Sequence, residues 1–300
     1  MVALIALLGV VALAGVWLGW MLRFRPLTVF GWRTRLALRA AGVKRLAVAT
    51  PAGRQVVFVG GHGPVLVLLH GAGGQAGTWF RVAPELAKTH RLIVPDLAGH
   101  GASAPASGPI EVRQVLEAAE AVIGTLANGD RVTLVGNSLG AWIAMLIAHR
   151  QPGRVAMAVC IDGGAIRGPD LRARLQPKNR SDARESLAQT RDPERAPVPD
   201  FVLDDIVRQA QVGPLARLAA TAASMEAYTL SETQLHEITV PVRLIWGASD
   251  RLVPIEYAKR MQGALLNVKL FTITGCGHVP PLECPDKFLA ALRQALMAGT

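Results

Sequence analysis

No acidic residue occurs before Glu85, and no charge of either sign interrupts residues 2–22. That uncharged stretch is 21 apolar residues long, and a helix needs about 20 to cross a bilayer. The basic leader and short apolar core of a secretory signal are both missing. Ala12-Leu13-Ala14 would still serve as a cleavage site, so a signal peptide stays open, as does a buried core helix. Trp17 and Trp20 lie where interfacial aromatics sit. Beyond the run come Arg23, Arg25, Arg33, Arg35, Arg39, Lys44 and Arg45, which carry most of the net charge of +10. With no acid to oppose them, the positive-inside rule puts the following domain in the cytoplasm, behind a single-pass anchor in the inner (plasma) membrane. The same cluster should attract anionic lipid headgroups. Leu27, Val29, Phe30, Trp32, Leu36 and Leu38 among the arginines suggest a segment lying partly in the interface, with a solvated linker as the alternative.

Cysteine is scarce. Cys160, Cys276 and Cys284 are odd in number and unevenly spaced, giving no disulfide framework and no metal pattern, in agreement with a reducing compartment. Also missing are a dinucleotide fingerprint, a P-loop, an internal repeat and a low-complexity tract. No pattern for nucleic acid accompanies the basic charge.

What is present is an alternation of strand and helix. The 300 residues are 51% apolar, enough for one large core. Strands are predicted at 55–59, 65–69, 91–94, 132–135, 155–161, 242–246 and 268–273, and helices at 77–88, 111–126, 138–150, 255–262 and 286–297. Such alternation implies a mostly parallel sheet covered on both faces. Between 164 and 239 the pattern turns to helical periodicity, frequent arginine and clustered prolines, and reads as an insertion. Its polar stretch 176–200 has a solvated surface as its alternative reading.

The chemistry concentrates at strand ends. Gly136-Asn137-Ser138-Leu139-Gly140 follows one apolar strand and opens a helical pattern, so Ser138 sits on a sharp turn at the carboxyl edge of the sheet. The free N–H groups of the helix behind it favour negative charge there. A serine needs a base, and the base an orienting acid. Asp250 follows the strand 242–246, and His278 lies in the Gly-rich loop after 268–273, both on the edge where open α/β sheets bind ligands. Taken singly, Asp250 reads equally as a helix N-cap and His278 as an ordinary loop histidine. Together, in the order Ser138, Asp250, His278, they read as a catalytic triad. The N–H groups of Leu139 and Ala72, the latter in His70-Gly71-Ala72-Gly73-Gly74 after strand 65–69, are the candidate oxyanion donors. His70 reads as structural.

These features resemble the α/β-hydrolase superfamily over roughly residues 45–298. The resemblance is carried by His70-Gly71-Ala72-Gly73, Asp96-Leu97-Ala98-Gly99-His100-Gly101-Ala102-Ser103, the elbow at Ser138, Asp250 within Gly-x-x-Asp-x-x-Val-Pro, and Gly277-His278-x-Pro280-x-x-Glu283-x-Pro285. Ala141 stands where many relatives have a second glycine after the elbow. The serine disfavours the dehalogenase and epoxide hydrolase branches, which carry aspartate at the elbow. The resemblance implies an α/β-hydrolase fold with a helical cap at 164–239 and a core of 46–163 and 240–300, preceded by the basic juxtamembrane segment at 23–45 and the transmembrane anchor at 1–22 that the charge and hydropathy pattern gives. It further implies a serine hydrolase cleaving carboxylic esters without a cofactor or a metal. The anchor points to a lipophilic ester drawn from the bilayer, with monoacylglycerol the sharpest form of that expectation. The alternatives are a carbon–carbon bond hydrolase of ring-cleavage products, a receptor-like binding protein of low turnover, and an acyltransferase. The oligomeric state is not set by the sequence.

Overall fold

A computed structural model describes residues 2–168 and 175–298. The apolar run forms α1 (Val2–Phe24), followed after Arg25 by α2 (Pro26–Ala40). An eight-stranded sheet comes next, built from β1 (Lys44–Thr50), β2 (Gly53–Gly60), β3 (Val65–Leu69), β4 (Arg91–Pro95), β5 (Val132–Asn137), β6 (Val155–Ile161), β7 (Val242–Gly247) and β8 (Val268–Ile273) in the order 1-2-4-3-5-6-7-8. β1 and β2 run antiparallel to their neighbours, and the remaining pairs are parallel. β3, with both neighbours parallel, is buried along its whole length, which is why Val-Leu-Val-Leu-Leu shows no alternation.

In chain order the longer helices are α3 (Val112–Leu126) and α4 (Leu139–Arg150), then α5 (Arg180–Thr190), α6 (Asp200–Val212) and α7 (Pro214–Ala219), inserted between β6 and β7, and finally α8 (Ile255–Ala264) and α9 (Pro285–Met297). α3 is one-sided: Val112, Val115, Leu116, Ala119, Val122 and Ile123 face the core, while Arg113 and Glu117 pair outside. α4 is apolar nearly all round because it is covered nearly all round. Arg217 on α7 ties the inserted helices to the body, donating to the carbonyls of Gly99, Pro105 and Gly108.

Three expectations change. The single helix predicted at 77–88 is a 3₁₀ turn, Ala76–Trp79, and a separate short helix, Ala83–Leu86. Pro84 lacks the N–H that would continue a helix from the Phe80 carbonyl, and Asp96 Oδ1 holds the Ala76 N–H at 2.7 Å, fixing the turn. The cysteines do form a framework: Cys276 and Cys284 are joined in a disulfide, and only Cys160 is free and buried. Their spacing hid this, because the bond depends on the helical turn Pro280–Glu283 carrying the chain back over its start.

The third change is in the arginine-rich segment. Leu38, read with the interfacial residues, is fully buried, in one core cluster with Val56, Phe58, Trp79 and Ala83. Thr34 is buried beside Gly77, where a Cβ would collide with its hydroxyl. Arg35 pairs with the buried Asp96 at 3.1 Å, and the Leu27 N–H donates to Asp205 Oδ2 on α6 at 2.9 Å. α2 is therefore docked on the body on one side. Its other side exposes Phe30, Trp32 and Leu36, and Trp32 stacks on Trp17 of α1 with ring centroids 5.9 Å apart. α1 is long and apolar enough to cross a membrane by length and composition, and only 6% of its 18-residue window Leu7–Phe24 is buried.

Candidate active site

β3 lies between β4 and β5, so the chain's direction of winding reverses there and opens a crevice at the carboxyl ends of β3 and β5. The loop 70–74 leaves one of these strands and Ser138 leaves the other. Ser138 has φ 53° and ψ −113°, a conformation that costs a non-glycine residue about 1–3 kcal/mol and survives only where its surroundings impose it. Here the Ser138 N–H donates to the Ile161 carbonyl at 2.9 Å. A Cβ on Gly136 would strike the Gly140 backbone, and one on Gly140 would strike the Leu69 carbonyl. Both glycines are thus needed for α4 to pack this closely behind the serine.

Asp250 and His278 meet directly, with His278 Nδ1 2.7 Å from Asp250 Oδ2. Asp250 Oδ1 accepts the N–H groups of Leu252 (2.9 Å) and Val253 (3.1 Å), so both oxygens are engaged and the carboxylate is fixed. Held in this way, it sets the tautomer with the proton on Nδ1 and leaves Nε2 as the basic nitrogen. The His278 main chain is held at both ends: its N–H donates to the Thr190 carbonyl of α5 at 2.8 Å, and its carbonyl accepts Asn137 Nδ2 at 2.8 Å. Asn137 precedes Ser138, so the elbow itself grips the histidine loop. That role for Asn137 was not read from the sequence, although the residue lay inside the motif.

Glu283 was noted only as part of a motif. It accepts the N–H groups of Gly277 and Asp192, each at 2.7 Å, and so ties the histidine loop to the segment after α5. Asp162 carried no sequence signal at all, yet it lies in the wall of a cavity that Ser138 also lines.

Ser138, Ala72 and Leu139 line a cavity of about 510 Å³ whose walls include Trp142, Leu218 and Tyr257. Leu139 opens α4, where an N–H has no intrahelical acceptor. His70 lies beneath this loop, its Nε2 accepting the Leu97 N–H at 2.9 Å and its Nδ1 donating to the Gly71 carbonyl at 2.8 Å. Burial holds its imidazole down to about 4, and that of His100, packed against it at 5.2 Å, down to about 3. Both rings are neutral at physiological pH. His70 is fully buried, and both its ring nitrogens are engaged by the backbone. Among the described residues no group of histidine, cysteine and carboxylate side chains could hold a metal ion.

A sequence profile of the Alpha/beta hydrolase family matches residues 66–291. An uncharacterized protein of Mycobacterium tuberculosis is 26% identical over 262 residues, covering 79% of this chain and 76% of the relative. A 2-hydroxy-6-oxononadienedioate/2-hydroxy-6-oxononatrienedioate hydrolase of Cupriavidus pinatubonensis is 30% identical over 237 residues, covering 71% and 80%. Among solved structures, a membrane phospholipase A described as a bacterial virulence factor superposes with a TM-score of 0.74 at 26% identity, covering 97% of this chain and 98% of that one. The chain belongs to the Alpha/beta hydrolase family, and it is a serine hydrolase of the esterase and lipase kind.

Proposed function

We propose that the chain is a membrane-anchored lipid ester hydrolase that works through an acyl-enzyme on Ser138. The observation that carries this reading is the Asp250–His278 pair, held against the Ser138 elbow beside a mostly apolar cavity of about 510 Å³. Ser138 Oγ attacks the ester carbonyl while His278 Nε2 takes its proton. The N–H groups of Ala72 and Leu139 stabilise the oxyanion, and Asp250 stabilises the imidazolium at Nδ1. Collapse expels the alcohol, which takes the proton from His278. Water then attacks the acyl-enzyme along the same route and releases the acid.

Residues 164–239 act as the cap, and α1 as the anchor that keeps the cavity near its substrate. Monoacylglycerol is the simplest bilayer ester of this class, and the similarity to a membrane phospholipase A supports a glycerolipid. The test is hydrolysis of p-nitrophenyl esters from acetyl to palmitoyl, and of monoacylglycerols, by detergent-solubilised full-length protein and its Ser138→Ala variant. Turnover of the long-chain esters and monoacylglycerol that the variant lacks is the expected outcome. Inertness on every ester would favour carbon–carbon hydrolysis, the reaction class suggested by the Cupriavidus relative, to be followed as bleaching of a coloured dienol.

The catalytic domain lies on the oxidising side of the membrane, the reverse of the side read from charge alone. The Cys276–Cys284 disulfide supports this, since such bonds are rare where thiol reductants are kept abundant. A phosphatase reporter that needs its own disulfides, fused after Thr300, should be active. Silence of that reporter, with activity from a cytoplasmic one, would restore the side given by the arginines.

A further inference from the structure

We propose that Asp162 is a positioning residue of this site: it is held as the neutral acid and donates its Oδ2 proton to the Asp250 carboxylate. The chain acid–carboxylate–imidazole then ends at Ser138. The inference rests on the proposed triad and adds a fourth member to it.

Asp162 follows β6 and Asp250 lies three residues beyond β7, neighbouring parallel strands in which Ile161 pairs with Ile245. Both carboxyls therefore emerge at the same edge. One residue, Gly247, bridges the two through its backbone. The Gly247 N–H donates to Asp162 Oδ1 at 2.9 Å, and the Gly247 carbonyl accepts the Asp250 N–H at 3.1 Å. Asp162 takes a left-handed backbone, φ 47°, with its own N–H on the Ile245 carbonyl at 3.1 Å. A Cβ on Gly247 would collide with the Gly277 carbonyl, so no bulkier residue fits between the acids and the histidine loop.

Asp162 is fully buried, and its Oδ2 finds no donor among the described residues. The Gly247 backbone holds its carboxyl beside the Asp250 loop. Two ionised carboxylates in that position would repel each other without water to screen them. A single proton between them turns the contact into a hydrogen bond and satisfies Oδ2. The charged groups facing Asp162 act in the same direction: Asp250 from the β7 loop and Glu283 from the turn Pro280–Glu283 are both acids. His278 stands on the far side of Asp250, and among the described residues no lysine or arginine pairs with Asp162. Burial first, and then the Asp250 charge, hold the Asp162 carboxyl well above the usual carboxylate range. As a neutral donor, Asp162 steadies Asp250 without placing a second negative charge behind the histidine.

The experiment compares Asp162→Asn and Asp162→Val with the wild type, following kcat and KM for p-nitrophenyl butyrate against pH. An asparagine can reproduce both contacts, its oxygen on Gly247 N–H and its amide on Asp250. Asp162→Asn should therefore keep kcat within about threefold and leave the acidic limb of kcat/KM in place. Asp162→Val removes the donor, so kcat should fall about 10- to 100-fold at nearly constant KM, and the acidic limb should move to higher pH by about one unit. Infrared difference spectra should show a carboxylic-acid C=O band at neutral pH that Asp162→Asn lacks, a readout that survives even if the valine variant does not fold. A shift of the acidic limb to lower pH in Asp162→Asn, or absence of that band, would mean that Asp162 is ionised and overturn the proposal. Turnover that persists in Ser138→Ala would instead break the triad on which it rests.

Discussion

His278→Ala is expected to lower kcat on p-nitrophenyl butyrate by about 10⁴- to 10⁶-fold, with a much smaller change in KM. In the proposed mechanism, removing the imidazole removes the acceptor of the Ser138 proton and the donor to the leaving alcohol, while the cavity is left intact. The loop should survive the change. Its main chain is held by Thr190 and Asn137, and Asp250 keeps the N–H groups of Leu252 and Val253. Ser138→Ala should cost the same within an order of magnitude, and the double variant no more than either alone, because the two groups act in one proton transfer. Asp250→Asn should cost about 10⁴-fold by presenting an amide to Nδ1 and favouring the wrong tautomer. Circular dichroism on each variant separates lost chemistry from lost fold. Additive losses in the double variant would show that serine and histidine are not partners, and an active His278→Ala would remove the histidine from the mechanism.

How far the site could be read from the sequence follows from the range of the interactions that build it. Ser138, Asp250 and His278 are each announced by neighbours within a few residues: a strand before, glycines around, a helix after. Parallel strands then place all three loops on one edge, so local signals add up to a site. Asp162 has no such neighbours. Its meaning depends on Gly247 and Asp250, more than eighty residues along, and a lone aspartate after a strand carries no pattern. The docking of α2 was hidden in the same way. Arg35 reads as one more cation in an unopposed run until Asp96 arrives beneath it, and Leu38 looks interfacial until the sheet supplies its pocket. Lys44 and Arg45 belong to the edge strand β1, paired with Val59 and Phe58 of β2. Charge on such an edge discourages further strand pairing. Its two leading cations read as the end of the basic run, and that left the strand unmarked.

The docking of α2 carries the second large effect, on stability. Deleting residues 2–22 should leave a folded hydrolase with nearly the same melting temperature, because α1 is exposed along almost all of its length. Extending the deletion through residue 42 should abolish stable folding. It would remove Leu38 from the core cluster that includes Val56, Phe58, Trp79 and Ala83, and strip Asp96 and Asp205 of the Arg35 and Leu27 donors. Leu38→Ala isolates the packing part: a fully buried leucine lost from a close-packed site costs about 2–5 kcal/mol, or a fall in melting temperature on the order of 5–15 °C for a domain of this size. Arg35→Ala should cost less, about 1–3 kcal/mol, because Asp96 keeps the N–H groups of Ala76 and Ala102 and the arginine is 22% exposed. Equal melting temperatures for the two deletions would make α2 a mere tether. The expected inequality makes it a wall of the enzyme. Asp96 holds the turn Ala76–Trp79 to Arg35, and that turn continues the loop bearing Ala72. α2 would then brace the loop bearing Ala72, the proposed oxyanion donor, and Leu38→Ala should lower kcat as well as the melting temperature.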